Sequence, residues 1–317
     1  MIKTLNLLGH QMSFTTSDDD YYLETMPPEG PVDIEELFKV FCRDGCSVVD
    51  VGANIGVTAV IAGLLVSAGL VLALEPVPGT FKYLARNIAD SNLTNVKCFN
   101  KAAASADGHV RLVTRPGHSF AAFVGYDEVL ARYTEYDEER VESITLDQLV
   151  ASEELSRVDF IKIDVEGFEL EVLRGSTRVL ERFQPTVLLE ANHYCLNIFR
   201  RISLVDFTEE ILSYFPIVFA VDTTLEILDL ALPQNHPVFF HDNVVLGRYQ
   251  NLVCGFDPSI KGDMERLRSK NKVLLQDAAV DYAAERPAIN ASWRRRAAGL
   301  LRRLPMRPAS DRQTAGD

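Results

Sequence analysis

Cysteine is scarce in this chain of 317 residues and does not pair up. The five cysteines stand at 42, 46, 98, 195 and 254, an odd number. Cys42 and Cys46 are four apart, and no second close pair completes a zinc-type ligand set. A disulfide framework and a structural zinc are therefore not what organises the fold, and the thiols read as reduced, mostly buried groups of a cytosolic protein. Basic residues are also short: 32 Lys and Arg face 45 Asp and Glu, a net charge of −13. That balance argues against nonspecific nucleic-acid binding by the body of the protein. No basic stretch followed by an apolar one opens the sequence, so no targeting peptide is expected. Without one, the sequons at Asn92 and Asn290 read as chance matches. There is no internal repeat. Long uncharged runs reduce to residues 57–74, eighteen positions without a charge. Length alone would suit a membrane helix. The run divides at Ser67-Ala68-Gly69, however, into a buried helix and a parallel strand covered on both faces.

What is present is a strand, a glycine turn, a helix and a second strand ending in one acid. Residues 48–56 read VVDVGANIG, and 71–75 read VLALE. Gly52 and Gly56 let the backbone approach a ligand closely, because no Cβ intervenes. Glu75 is placed to bind a ribose diol. A dinucleotide fingerprint starting at Gly52 would need glycine at 54 and 57, where this chain has Asn54 and Val57. A nicotinamide dehydrogenase fails on that count. Asp50, Gly52, Asn54 and Gly56 instead resemble the first motif of the class I methyltransferases that use S-adenosylmethionine.

Strand and helix patterns alternate along the chain. Strands are expected at 47–51, 70–75, 95–100, 109–114, 158–164, 186–190, 216–221 and 237–246. Helices are expected at 32–43, 55–67, 79–91, 168–182, 205–214 and 259–286, with a short helical entry at 144–150. Residues 1–30 read as polar and irregular, and 115–143 as an inserted loop or short hairpin region. The alternation predicts an α/β fold with a doubly wound, mainly parallel sheet and helices on both faces. Ligands in such sheets bind at the carboxyl ends of the strands. Candidate residues are therefore Asp50 to Gly56, Glu75, Asn100 with Lys101, Asp164, and Glu190 with His193. Glu166 and Glu169 follow Asp164 at a helix entry, where acids also serve the helix dipole.

Taken together, VVDVGANIG (48–56), LALEP (72–76), FIKIDVEGFELEVLRGS (160–176) and VLLEAN (187–192) resemble the FkbM family of methyltransferases. The resemblance covers about residues 45–247 and implies a class I Rossmann-like domain. It also implies S-adenosylmethionine as cofactor, bound by Asp50, Gly52, Asn54, Gly56, Glu75, Asn100, Lys101 and Asp164. Asn100 and Lys101 would contact the adenine. The implied reaction is O-methylation of a sugar or polyketide-like acceptor, which spacing and composition alone do not reveal. On this reading residues 1–44 cap the domain, 45–256 form it, 257–290 add a helical extension, and 291–317 are a basic tail.

An alcohol is a poor nucleophile near neutrality, so a base or a bound cation would help. Asp164 is the first candidate, followed by Glu190 and His193. Asp164 and Glu190 could begin a hard oxygen cage for a divalent metal, although no metal is assigned. The rival classes are a non-catalytic cofactor-binding scaffold or regulatory domain and a surface-attached module. The latter rests on residues 287–317, where seven arginines face two aspartates, a net of +5 that leaves −18 on the remainder. Trp293, Leu300, Leu301 and Leu304 could form an apolar stripe there, suited to a membrane surface or to the chain's own acidic body. Acceptor choice would lie in 115–143 and in the region after 190, and the sequence says nothing of oligomeric state.

Overall fold

The computed structural model describes residues 1–18, 20–115, 118–124 and 137–277. The chain divides into two units, Met1–Asn271 and Lys272–Asp317, and every described strand lies in the first. The basic tail expected at 291–317 lies outside the described residues. Among those residues, no helix is long and apolar enough to cross a membrane.

The chain opens on an antiparallel hairpin, β1 (Ile2–Leu7) and β2 (His10–Thr15). Residues 1–30 are thus not irregular as expected. Leu5, Leu7 and Phe14 alternate inward into the core, and Leu8 and Gly9 both take positive φ at the turn, as a two-residue hairpin turn requires. Leu8 is an uncommon residue there, so the turn carries little signal in the sequence. Asn87 fixes the hairpin to the body. Its side chain accepts from Thr15 N at 2.8 Å and donates to Thr15 O at 3.0 Å and Ile55 O at 2.8 Å. Helices Tyr21–Thr25 and Val32–Phe41 follow.

The central sheet is built from β3 (Ser47–Val51), β4 (Leu70–Leu74), β5 (Val96–Phe99), β10 (Phe160–Ile163), β11 (Thr186–Glu190), β12 (Ile217–Val221), β13 (Ile227–Asp229) and β14 (Asn251–Gly255). Its order is β13-β12-β14-β11-β10-β3-β4-β5. The strands from β11 to β5 are parallel, whereas β14 runs antiparallel between β11 and β12. Alternate strand residues feed separate cores. Val49, Val51, Ile161, Ile163, Val187 and Leu189 pack with one set of helices, among them Leu146–Ser152 and Leu204–Tyr214. Val48, Val71, Ala73, Phe160 and Leu188 pack with Val57–Leu65, Val32–Phe41 and the hairpin. This is the doubly wound α/β class the sequence predicts.

Between β5 and β10 the chain contributes β6 (Ala102–Ala103), β7 (Gly108–Arg115), β8 (His118–Phe123) and β9 (Asp137–Ile144), which form a second sheet of order β6-β9-β7-β8. Two other expectations change. The helix expected over 168–182 is two helices, Glu169–Arg174 and Thr177–Phe183. The break is at Gly175, where a Cβ would stand 2.0 Å from the Ala104 carbonyl oxygen. The strand expected over 237–246 is a helix, His236–His241, followed by a π turn, Asp242–Leu246. Pro237 suits the first helical turn, and the edge of β11 that such a strand would fill is taken by β14.

Candidate active site

The carboxyl ends of β3, β4, β10 and β11 meet at one edge of the sheet. After β3 the backbone reverses through Gly52, Asn54 and Gly56, with φ of +76°, +51° and +98°. A Cβ at Gly52 would sit 1.9 Å from the Asp164 carbonyl oxygen, so glycine is required both by φ and by space. The turn is sewn to its neighbours. Gly52 N and Ala53 N donate to Leu74 O at 3.0 and 2.9 Å, and Asp164 N donates to Val51 O at 3.1 Å. Glu75 is buried and clasps two turns at once, accepting from Asn54 N at 3.0 Å and Val77 N at 2.9 Å. Burial pushes its carboxyl up to about 7, against the lowering effect of those two amides. Asn100 braces the same corner, donating to the carbonyls of Glu75 and Pro76 at 2.9 Å each. Lys101 is ion-paired to Glu142 on β9.

Asp50 lies beneath this turn, fully buried. It accepts from Thr58 Oγ1 at 2.7 Å, and the parallel register sets it opposite Lys162 of β10. Lys162 is missing from the residues picked out in the sequence. Its ammonium is 3.6 Å from Asp50 Oδ1 and 3.3 Å from Asp164 Oδ2, and it donates to Gly52 O at 3.3 Å. Burial disfavours its charge, but Asp164 and Asp50 outweigh that and hold its pKa above the ordinary lysine value. For Asp50, burial raises the pKa and Lys162 opposes it. The signal was a lysine in the middle of an apolar strand, Phe-Ile-Lys-Ile, where a buried charge must find a partner. Tyr22, from the N-terminal helix, is likewise within the field of Lys162, Asp164 and Asp50; burial raises its pKa above the usual phenol value.

The ends of β10 and β11 gather acids. The Asp164 side chain keeps 44% of its surface exposed. Asp164, Glu166 and Glu190 each offer a carboxylate oxygen within 4.8 Å of the others. Such a group can hold a proton or a hard cation. Glu190 Oε2 is buried and accepts no hydrogen bond among the described residues. Burial first, then Asp164, Glu166 and Glu169, raise its pKa well above the usual range. Glu166 stands at φ +54° and accepts from the Cys195 thiol at 2.9 Å. Glu169 is buried and turned back on the loop, accepting from Gly167 N at 3.1 Å and Val165 N at 3.3 Å. Burial pushes it to about 7.

His193 opens the helix His193–Arg200, which was absent from the expected elements. Asn192 caps it, accepting from Tyr194 N and Cys195 N at 3.1 and 3.4 Å. His193 Nδ1 is 3.2 Å from Asn243 Oδ1 in the π turn. Burial lowers the pKa of His193, against the effect of that hydrogen bond, so the ring is neutral around pH 7. The second sheet closes on this helix, with Phe123 of β8 stacked on Phe199 at a centroid distance of 3.7 Å.

As a donor set, the end of β3 and β4 fits a ligand bearing hydroxyls and positive charge. Each Glu75 oxygen keeps a second lone pair. Asn54 Oδ1 is a buried acceptor without a hydrogen bond among the described residues, and Asp164 offers an exposed carboxylate beside the turn. The glycine turn and the strand-end acids lie at the carboxyl ends of the parallel strands, where ligands bind in doubly wound sheets.

The chain matches the FkbM methyltransferase domain over residues 50–216, more than half its length, and belongs to that family. It is a methyltransferase. It is 29% identical over 173 residues to the hexuronic acid methyltransferase AglP of Haloferax volcanii, covering 55% of this chain and 67% of that protein. It is also 29% identical over 177 residues to methyltransferase sdnD of Sordaria araneosa, covering 44% of this chain and 66% of that protein. The matches thus span about two thirds of those relatives' length. Among solved structures it is similar to an O-methyltransferase from Bacillus cereus in complex with SAH, at 14% identity and a TM-score of 0.38, covering 72% of this chain and 80% of that one. It is also similar to a precorrin-6y C5,15-methyltransferase from Geobacter metallireducens, at 16% identity and a TM-score of 0.39, covering 65% and 80%.

Proposed function

We propose that this chain methylates a hydroxyl of a sugar or polyketide-like natural product, using S-adenosylmethionine. The observation that carries the reading is the hydrogen-bonded seam joining the turn after β3 to the ends of β4 and β10. Gly52 and Ala53 bond to Leu74, Asn54 bonds to Glu75, and Lys162 bonds to Gly52 while pairing with Asp164. One seam thereby links the residues suited to a nucleoside with the acid suited to a cationic group. The relative named as a hexuronic acid methyltransferase supports a sugar acceptor.

The cofactor would supply an electrophilic methyl group on a sulfonium sulfur. Glu75 and the amide of Asn54 would hold the ribose, and Asn100 would support the adenine wall. Asp164, paired with Lys162, would face the cofactor's positive end rather than take a proton. The base is His193: it is neutral around pH 7, and its Nε2 would accept the acceptor's hydroxyl proton. Glu190 would complete the acidic wall.

The test is transfer of isotopically labelled methyl from S-adenosylmethionine to a panel of hexuronic acid glycosides and polyketide alcohols. The expected product carries the label on oxygen. Binding of the cofactor without transfer to any member would favour a non-catalytic scaffold. Co-purification of a nicotinamide cofactor would overturn the reading altogether.

A further inference from the structure

Asn243 is buried without remaining exposure. It is the second residue of the π turn Asp242–Leu246, a rare local geometry that inserts one residue into a helical turn. Its side-chain Nδ2 donates to Ala191 O at 2.9 Å and to Tyr249 O at 3.1 Å. Carbonyl oxygens only accept, so that end of the amide must be its nitrogen. The other end is then the oxygen, and it lies 3.2 Å from His193 Nδ1. An amide oxygen also only accepts, so Nδ1 must bring the hydrogen. A neutral imidazole carries one N–H, and the bond made by one nitrogen decides the state of the other.

The surrounding turn encloses Asn243 and little else of its own residues. The next three residues, Val244, Val245 and Leu246, are left 49%, 62% and 43% exposed. An ordinary strand, as their apolar character suggests, would alternate inward and leave no amide aimed at β11's end. Here three apolar side chains stand in solvent while one amide is enclosed. The enclosed amide grips Ala191, two residues before His193, so the backbone and the ring of the same short segment are fixed together.

We propose that Asn243 is a positioning residue that locks His193 in the Nδ1–H tautomer, leaving the Nε2 lone pair to take the acceptor's hydroxyl proton. The inference rests on the reading of His193 as the base. It assigns Asn243 no contact with substrate. The acceptor oxygen loses its proton to Nε2, and Nδ1–H stays bonded to Asn243 throughout, so the resulting imidazolium shares its charge with the amide oxygen.

The decisive measurement is a nitrogen NMR spectrum of the full chain with labelled histidine, in the neutral imidazole form. His193 is identified by difference against His193→Gln. The expected spectrum has a protonated Nδ1 and an unprotonated Nε2. An Nε2–H ring in the wild type overturns the assignment whatever the kinetics show, and needs no cofactor or variant of Asn243. Asn243→Ala should mix the tautomers and lower kcat by about 10²–10⁴-fold, the upper end being the loss a wholly wrong tautomer causes, with KM for S-adenosylmethionine unchanged. An unchanged kcat in a folded Asn243→Ala variant also overturns it. If that variant does not fold, the wild-type spectrum decides. Full turnover by His193→Gln would instead overturn the base reading beneath the proposal, even with an Nδ1–H spectrum.

Discussion

The two halves of the site are built on opposite terms. At the ends of β3 and β4, the polar groups are mostly spent on the protein itself. Both Glu75 oxygens hold backbone amides, and Asn100 holds two carbonyls. At the ends of β10 and β11, acids face one another. Asp164, Glu166 and Glu190 crowd within 4.8 Å, and Glu190 Oε2 and Glu169 Oε2 accept no hydrogen bond among the described residues. The first half is a hydrogen-bonded cradle; the second is electrostatically loaded. That difference is what a transfer site needs, since one side must hold a ligand still while the other handles charge and protons.

The comparison breaks most severely at His193. His193→Gln should lower kcat by about 10²–10⁴-fold, the range for loss of a positioned base, while the melting temperature stays close to that of the wild type. A variant that melts far earlier would mark His193 as a structural residue. Lys162 joins the halves, and Lys162→Met should destabilise the protein by about 3–5 kcal/mol, because two acids lose a buried partner. Denaturant unfolding reads this directly, and a loss below about 1 kcal/mol would mean the pair is dispensable. Gly52→Ala attacks the cradle. It combines a φ of +76° with a Cβ 1.9 Å from backbone oxygen, and should cost about 2–4 kcal/mol. Undiminished stability in Gly52→Ala would show that the turn can move aside.

The smallest effect is a pH dependence in the loaded half. Glu169 is pushed up to about 7 by burial, so the folded state holds its proton more tightly than the unfolded chain between the ordinary glutamate range and that value. Folded protein therefore binds more protons than unfolded, and stability falls as pH rises through this window. Glu169→Gln keeps an oxygen for the amides of Val165 and Gly167 and cannot ionise. Its stability relative to wild type should rise by about 1–3 kcal/mol between about pH 5 and about pH 8. A flat difference across that range, from thermal unfolding in matched buffers, would remove Glu169 from the titrating groups.

The two halves also differed in how far the sequence exposed them. The cradle was legible because its demands are local: Gly52 and Gly56 follow a strand within a few residues, and Glu75 ends the next strand. The second half was legible in its acids but not in their surroundings. Asp164 and Glu190 stand at strand ends and His193 opens the next helix, yet Asn243 lies fifty residues beyond His193, and nothing in VVL marks the residue before it as an inward amide. Lys162 did carry a signal, a charge inside an apolar strand, whose meaning depends on Asp50 standing opposite it in register. In the fold, the parallel order follows from alternating patterns. The hairpin at Ile2–Thr15 was hidden because its turn uses Leu8 rather than asparagine or aspartate. The helix break at Gly175 depends on the distant Ala104.

The division of labour between cradle and loaded half is tested most directly by titrating S-adenosylmethionine calorimetrically into Glu75→Ala and His193→Gln alongside the wild type. Glu75→Ala should weaken binding by about 1–3 kcal/mol, roughly 5–150-fold in Kd, because the proposed function makes Glu75 the acceptor for the ribose hydroxyls. His193→Gln should bind like the wild type while failing to transfer. Equal loss of affinity in both variants, or undiminished affinity in Glu75→Ala, would contradict that division.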